Sequence, residues 1–215
     1  STPYIPPKDY WKRVRAACDR HGALLILDEI PTCLGRTGWM FACESYDVVP
    51  DMLVIGKGLG GGVMPLAALI AREHLDVAGD RAIGHFTHEK NPVACAAGLA
   101  AIRYIEEQGL LDHTRRMHDY AMTKLRELQA RYAIITDVRG VGLLLGTELR
   151  LLDGSRATDE AERIMYGALS RGLNFKVTMG NIITLTPPLT IAREEMDAAI
   201  KILDSCFADL DTIAN

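Results

Sequence analysis

Hydrophobic positions along this chain follow two rhythms, and the rhythm changes where turn residues fall. Pro6-Pro7-Lys8-Asp9-Tyr10 reads as a helix start; the helix runs through about Arg20, carries Trp11, Val14, Ala17 and Cys18, and ends at Gly22. ALLILDEI, residues 23–30, is instead an unbroken apolar run closed by two carboxylates, which fits a buried parallel strand. Residues 31–50 are rich in turn formers, among them Pro31, Gly35, Gly38 and Pro50. MLVIG, 52–56, is a second short buried strand, and PLAALIA, 65–71, a candidate third. Helix, strand, loop, strand in that order predicts an α/β layer fold.

From Asn91-Pro92 a helix rich in alanine follows, VACAAGLAAIRYIEEQG, ending at Gly109. A second helix over roughly 111–131 has its apolar period on Leu111, Met117, Met122, Leu125 and Leu128. The composition then shifts. AIITDVRGVGLLLGTELR, 133–150, reads as strand, glycine turn, strand; 158–171 as a helix; NFKVT and NIITLTP as short strands; and 192–210 as an amphipathic helix. This second part predicts a small α+β domain, with the boundary within the 111–131 helix.

Charge and composition narrow the function classes. The net charge of −4 argues against non-specific nucleic-acid binding, which needs a basic face. No apolar run approaches the roughly 18–20 residues of a membrane span. The opening STPYIPPKDYWKRV is polar and Pro-rich and does not read as a signal peptide. Five cysteines, an odd count without any CxxC, suit reduced thiols in a cytoplasm better than a disulfide framework.

The candidate chemistry lies in DMLVIGKGLGGG, 51–62, where Lys57 stands among glycines just past an apolar strand. A phosphate-binding P-loop needs GxxxxGK followed by Ser or Thr, whereas Lys57 is followed by Gly58 and the position five before Gly56 is Asp51. Gly56, Gly58 and Gly61 satisfy GxGxxG, but Val63-Met64-Pro65 follows where a dinucleotide site needs a helix to open. A third reading is a lysine that condenses with the aldehyde of pyridoxal phosphate. That cofactor needs an acid to keep its pyridine nitrogen protonated. Asp28, at the end of the neighbouring predicted strand, is the candidate. The bland alternative is a solvated loop lysine beside a surface pair, Asp28-Glu29.

ALLILDEI…GRTGWMFACESYDVVPDMLVIGKGLGGGVMPLAALIA, then GHFTHEKNPVACAAGLAAI, resembles the class III (omega-type) aminotransferases, pyridoxal-phosphate enzymes of fold type I. The likeness runs from PPKDYWKRVRAACDRHGALLILDE to TPPLTIAREEMDAAIKIL, nearly the whole chain. It implies that Lys57 forms the Schiff base with the cofactor and shuttles the proton, and that Asp28 pairs with the pyridine nitrogen. Ile30 matches the β-branched residue against one ring face. Thr87, five before Pro92, matches the threonine that binds the cofactor phosphate of the neighbouring subunit. Glu29 and Arg36 match positions that hold the site loop by ion pairs. His85 and His88 form an HxxH without a further ligand pattern and read as loop residues rather than a metal site.

The resemblance further implies a cytoplasmic homodimer with shared active sites, taking a small-molecule amino donor and a keto-acid acceptor. Family members run about twice this length, so residues 1–110 are expected to be the C-terminal part of the large cofactor domain and 111–215 the small C-terminal domain. Two departures bear on substrate. Pro31 stands where relatives often have Gln, and Thr184 stands three before Pro187-Pro188, where many have an arginine that grips the substrate carboxylate. A threonine makes no bidentate pair. Racemisation or epimerisation, decarboxylation and elimination on an amino substrate therefore stand as alternatives to transamination. From different classes, an NAD-type dinucleotide-binding fragment and a non-catalytic assembly module remain.

Overall fold

The computed structural model describes residues 3–81, 84 and 87–214. The chain divides into two compact units: Pro6–Leu111, and the stretch from Asp112 onward together with the N-terminal residues through Ile5.

In the first of these, α1 (Tyr10–His21) ends where Gly22 takes a left-handed φ of 63° and the Ala23 amide closes on the Cys18 carbonyl. A mixed sheet of order β1-β2-β3 follows. β1 (Ile26–Asp28) runs parallel to β2 (Met52–Ile55), with Ile26 opposite Met52 and Asp28 opposite Val54. β3 (Ala68–Ala71) runs antiparallel to β2. An apolar run carries no direction, but the connection does. Residues 56–67 form turns without a crossover helix, and only antiparallel neighbours can be joined that way. Leu27, Leu53 and Ile55 are buried on one face of the sheet. The opposite face carries Ile26 and Leu69, 53% and 58% exposed, so the both-face burial expected of 23–30 does not occur among the described residues.

β1 is also shorter than the apolar run from which it was predicted. At its start Leu25 gives its amide to the Asp51 side chain at 2.7 Å, and at its end the amides of Thr32 and Cys33 turn back onto the Glu29 carbonyl. α2 (Pro92–Glu107) opens with Pro92 at its first position, and Asn91 accepts from the amides of Val93 and Ala94 at 3.0 and 3.3 Å.

In the other unit, α3 (Leu110–Arg131), α4 (Thr158–Ser170) and α5 (Arg193–Ala214) accompany an antiparallel sheet of order β4-β5-β7-β6. Its strands are β4 (Ile135–Val141), β5 (Leu144–Leu149), β6 (Lys176–Thr178) and β7 (Ile182–Leu185). Leu125, Leu145, Ile164, Ile183, Met196 and Phe207 are almost wholly buried in its core. The N-terminal residues join this unit through Arg139, which donates to the Pro3 carbonyl at 3.0 Å and lies over the Tyr4 ring. Pro3 in turn occupies the space a Cβ on Gly146 would need, 2.9 Å from its ring. α5 continues past the expected end at 210 to Ala214.

Candidate functional site

Two parallel neighbours place their carboxyl ends on one edge, and Asp28 and the turn of Lys57 lie there. Asp28 is the last residue of β1 and pairs with Val54; Lys57 stands three residues beyond Val54, past the end of β2. Asp28 Oδ1 accepts from the Ile30 amide at 3.0 Å, which fixes the carboxylate as the chain leaves the sheet. The Glu29 amide extends the ladder by donating to the Val54 carbonyl at 2.9 Å.

Lys57 opens a 3₁₀ turn, Lys57–Gly60, with a φ of 46°, a left-handed conformation uncommon for a side chain of its type. The turn is backed on two sides. Ile30 and Ala67 lie where a Cβ on Gly56 would touch them at 3.5 Å, and Leu34 lies 3.8 Å from that of Gly58. On the other side is α2: a Cβ on Gly98 would stand 3.1 Å from the Leu59 carbonyl and 2.6 Å from the end of the Leu66 side chain. Gly61 and Gly62, at φ of 67° and 75°, take the turn onward. No α-helix opens at Gly61, so the chain lacks the arrangement a dinucleotide pyrophosphate needs.

Glu29 is buried, 4% exposed, and its partners differ from the ion pair expected. Its carboxylate accepts the amides of Ala42 at 2.5 Å and Cys43 at 2.7 Å, with the Thr32 hydroxyl at 3.4 Å. Those amides open the 3₁₀ turn Ala42–Tyr46, so Glu29 caps a turn thirteen residues ahead of it. Arg36 is half-buried in the same loop, where burial lowers its pKa. Burial first, then the Glu29 charge, pushes the Cys43 thiol up to about 12, and burial raises the Cys33 thiol too. Neither thiol is set up to be a nucleophile at neutral pH.

Thr87 lies in the exposed turn 87–90 that leads to the Asn91 cap of α2. His88 shares this turn, whereas His85 lies outside the described residues. Among the described residues no three His, Cys, Asp or Glu side chains gather as metal ligands would, and no helix is long and apolar enough to cross a membrane. In the other unit Thr184 lies within β7, 5% exposed, with its hydroxyl 2.9 Å from that of Thr178. Arg193 stacks over the Tyr120 ring at 4.3 Å from its centre. Sequence reasoning missed Gly98 and the amide partners of Glu29. The first had a faint signal, the small-residue pattern ACAAGLAA at 94–101, and the second had none, because backbone amides leave no mark in a sequence.

An amine just past the end of β2, a carboxylate at the end of β1 and an apolar β-branched residue, Ile30, beside the lysine turn are the groups that an aldehyde cofactor calls for. Comparison with known proteins points the same way. The model of the family "aminotransferase class-III" matches residues 3–207. The chain is 43% identical over 206 residues to an (R)-1-hydroxy-2-aminoethylphosphonate ammonia-lyase of Vibrio splendidus, covering 95% of this chain and 43% of that protein. It is 40% identical over 211 residues to a leucine/methionine racemase of Thermococcus litoralis, covering 96% and 47%. A solved amine transaminase from an uncultivated Pseudomonas species, in its PLP-bound form, superposes with a TM-score of 0.88 at 33% identity, over 95% of this chain and 49% of that one. The chain thus spans about half the length of the relatives it matches.

Proposed function

Because this chain belongs to the class III aminotransferase family, we propose that it supplies the lysine and the pyridine-pairing acid of a pyridoxal-phosphate enzyme that moves an amino group between an amine or amino acid and a keto acid. The observation that carries this reading is the register of β1 and β2, which sets Asp28 and the turn of Lys57 at one edge of parallel neighbours.

In this reading Lys57 Nζ would hold the cofactor through its aldehyde carbon, and its amine would carry a proton to and from the carbon next to the substrate nitrogen. Asp28 keeps a proton on the cofactor's pyridine nitrogen. Ile30 covers one ring face, and the Thr87 hydroxyl takes the cofactor phosphate of a neighbouring subunit. The chemistry that pyridoxal phosphate would supply when bound is an electron sink for the pair left on that carbon. In this reading 1–110 belongs to the C-terminal part of a large cofactor domain and 111–215 to a small domain, with the residues through Ile5 packed in the unit of the latter. The assembly is read as a homodimer with shared active sites. Cytoplasmic residence is supported by five cysteines that are all free thiols.

A second reading is favoured by Thr184. Its hydroxyl is engaged by Thr178 in a buried strand and offers no cation to a substrate carboxylate. An amino substrate with a different anion, or one that undergoes racemisation or loss of ammonia, fits that position equally, and the two curated relatives described above are named for such reactions. The test of the first reading is chemical. The full-length protein is loaded with pyridoxal phosphate, reduced with borohydride and digested, and the peptides are mapped by mass spectrometry. A phosphopyridoxyl group on Lys57 is expected; an adduct confined to another lysine, or none, sinks the assignment. A screen of amines with and without a keto acid then separates transamination from the second reading.

A further inference from the structure

We propose that Glu29 is a positioning residue for Lys57, acting through the loop it closes; the inference rests on reading Lys57 as the cofactor-holding lysine. Glu29 is tied at both ends. Its backbone is held to β2 through the Val54 carbonyl and to the loop through the amides of Thr32 and Cys33, which donate to its own carbonyl at 3.0 and 2.9 Å. Its carboxylate receives the amides of Ala42 and Cys43. The segment between those attachments, 30–41, is therefore cinched into a closed loop by one side chain.

That loop is what backs the lysine turn. Ile30 lies against Gly56, Leu34 against Gly58, and the Cys33 thiol faces the Gly56 carbonyl at 3.9 Å. Leu34 itself holds a left-handed φ of 55°, a conformation that persists only when the surroundings impose it. Lys57, also left-handed, sits between this loop and α2. A carboxylate that fixes the loop therefore fixes one wall of the lysine turn. Buried charge-assisted bonds to two amides are strong enough to impose such an arrangement. Thr32 adds a third, longer contact.

The test uses the full-length protein with pyridoxal phosphate as the probe, and two variants that break the same bonds from opposite sides. Glu29→Gln keeps the shape but turns an acceptor into a donor facing an amide. Ala42→Pro removes a donor and leaves Glu29 intact; proline suits the first position of the turn, and Phe41 before it is already extended at φ −127° and ψ 139°. Far-UV circular dichroism checks folding. Borohydride trapping on Lys57 checks the site, and visible circular dichroism per bound cofactor reads the cofactor's orientation, which a merely stabilising cap would leave unmoved. Both variants are expected to trap at Lys57, to bind pyridoxal phosphate about tenfold or more weakly, as loss of an orienting carboxylate does elsewhere, and to show an altered visible band. Folded variants with wild-type affinity and a wild-type band overturn the proposal. Should Glu29→Gln fail to fold, Ala42→Pro alone decides. If the unaltered protein traps no cofactor on Lys57, the reading of Lys57 falls and this inference with it.

Discussion

An amine and a carboxylate three residues past and level with the same strand pair can do what neither does alone, and single substitutions separate their parts. Lys57→Ala removes the only atom in this reading that both holds the cofactor and moves the proton. We expect no phosphopyridoxyl adduct and a fall in turnover on the order of 10⁴-fold. Asp28→Asn keeps the Ile30 amide contact, because an amide oxygen still accepts, but withdraws the charge that holds a proton on the pyridine nitrogen. Binding of pyridoxal phosphate should persist while turnover drops on the order of 10²-fold, measured under saturating substrate; unchanged turnover would remove Asp28 from the pyridine role. The places of Lys57 and Asp28 at neighbouring strand ends were legible in the sequence because each follows an apolar run, and a strand end is where parallel sheets present their chemistry. The partners of Glu29 were not legible. An acid beside an arginine-bearing GRTG suggests an ion pair, yet the carboxylate goes to amides that any residues at 42 and 43 except proline would supply.

At the level of elements, packing decides what propensity cannot. Gly98 sits inside α2, where alanine would normally be better by about 1 kcal/mol. Here the added methyl meets the Leu59 carbonyl behind the lysine turn, and crowding of that sort costs about 1–3 kcal/mol. Gly98→Ala should therefore come out destabilised by about 1 kcal/mol in urea unfolding, with weaker pyridoxal-phosphate binding because the turn is displaced. A gain in stability would show that the turn yields freely. A second element-level device joins α1 to the sheet. Asp51 accepts the Leu25 amide, Arg15 at 2.6 Å and Arg72 at 3.3 Å. The Leu25 amide first, then the Arg15 guanidinium, holds its carboxyl below the ordinary range. Since the folded pKa is depressed, this stabilisation is fully present above the unfolded value of about 3.9 and disappears as pH falls through the folded one. The urea midpoints of the wild type and Asp51→Asn should differ most near neutrality and converge in acid; a constant gap would remove the charge from the argument. Helices α1 to α5 were legible from their apolar period and caps. Strand extents were less so, because side-chain bonds by Asp51 and the turn at Glu29 trim β1 to three residues, and β3's direction depends on a connection rather than on its own residues.

For the molecule as a whole, the open face of the first sheet sets the behaviour of these 215 residues taken by themselves. Register puts Ile26, Met52, Val54 and Leu69 on one face together with Asp28, while Leu27, Leu53 and Ile55 are buried on the other. The sequence showed an apolar run without alternation, the mark of a strand covered on both sides. Among the described residues only one side is covered, and that only over β1 and β2, since Ile70 of β3 on the same side is 46% exposed; the chain spans about half the length of its relatives. Three strands make a small sheet, and exposed apolar rows on such a sheet invite association. The net charge of −4 offers only modest repulsion against it. Expressed alone, the 215-residue chain should thus associate with rising concentration and bind a hydrophobic dye. Leu69→Lys, which puts a charge on that face at the outer strand β3, should lower both, as followed by light scattering and dye fluorescence. Asp28 lies on the same face, so covering it by self-association should also weaken pyridoxal-phosphate binding in proportion to the associated fraction. A chain that stays monomeric and dye-free, with Leu69→Lys indistinguishable from it, would mean that the face is closed in solution by residues of the chain itself.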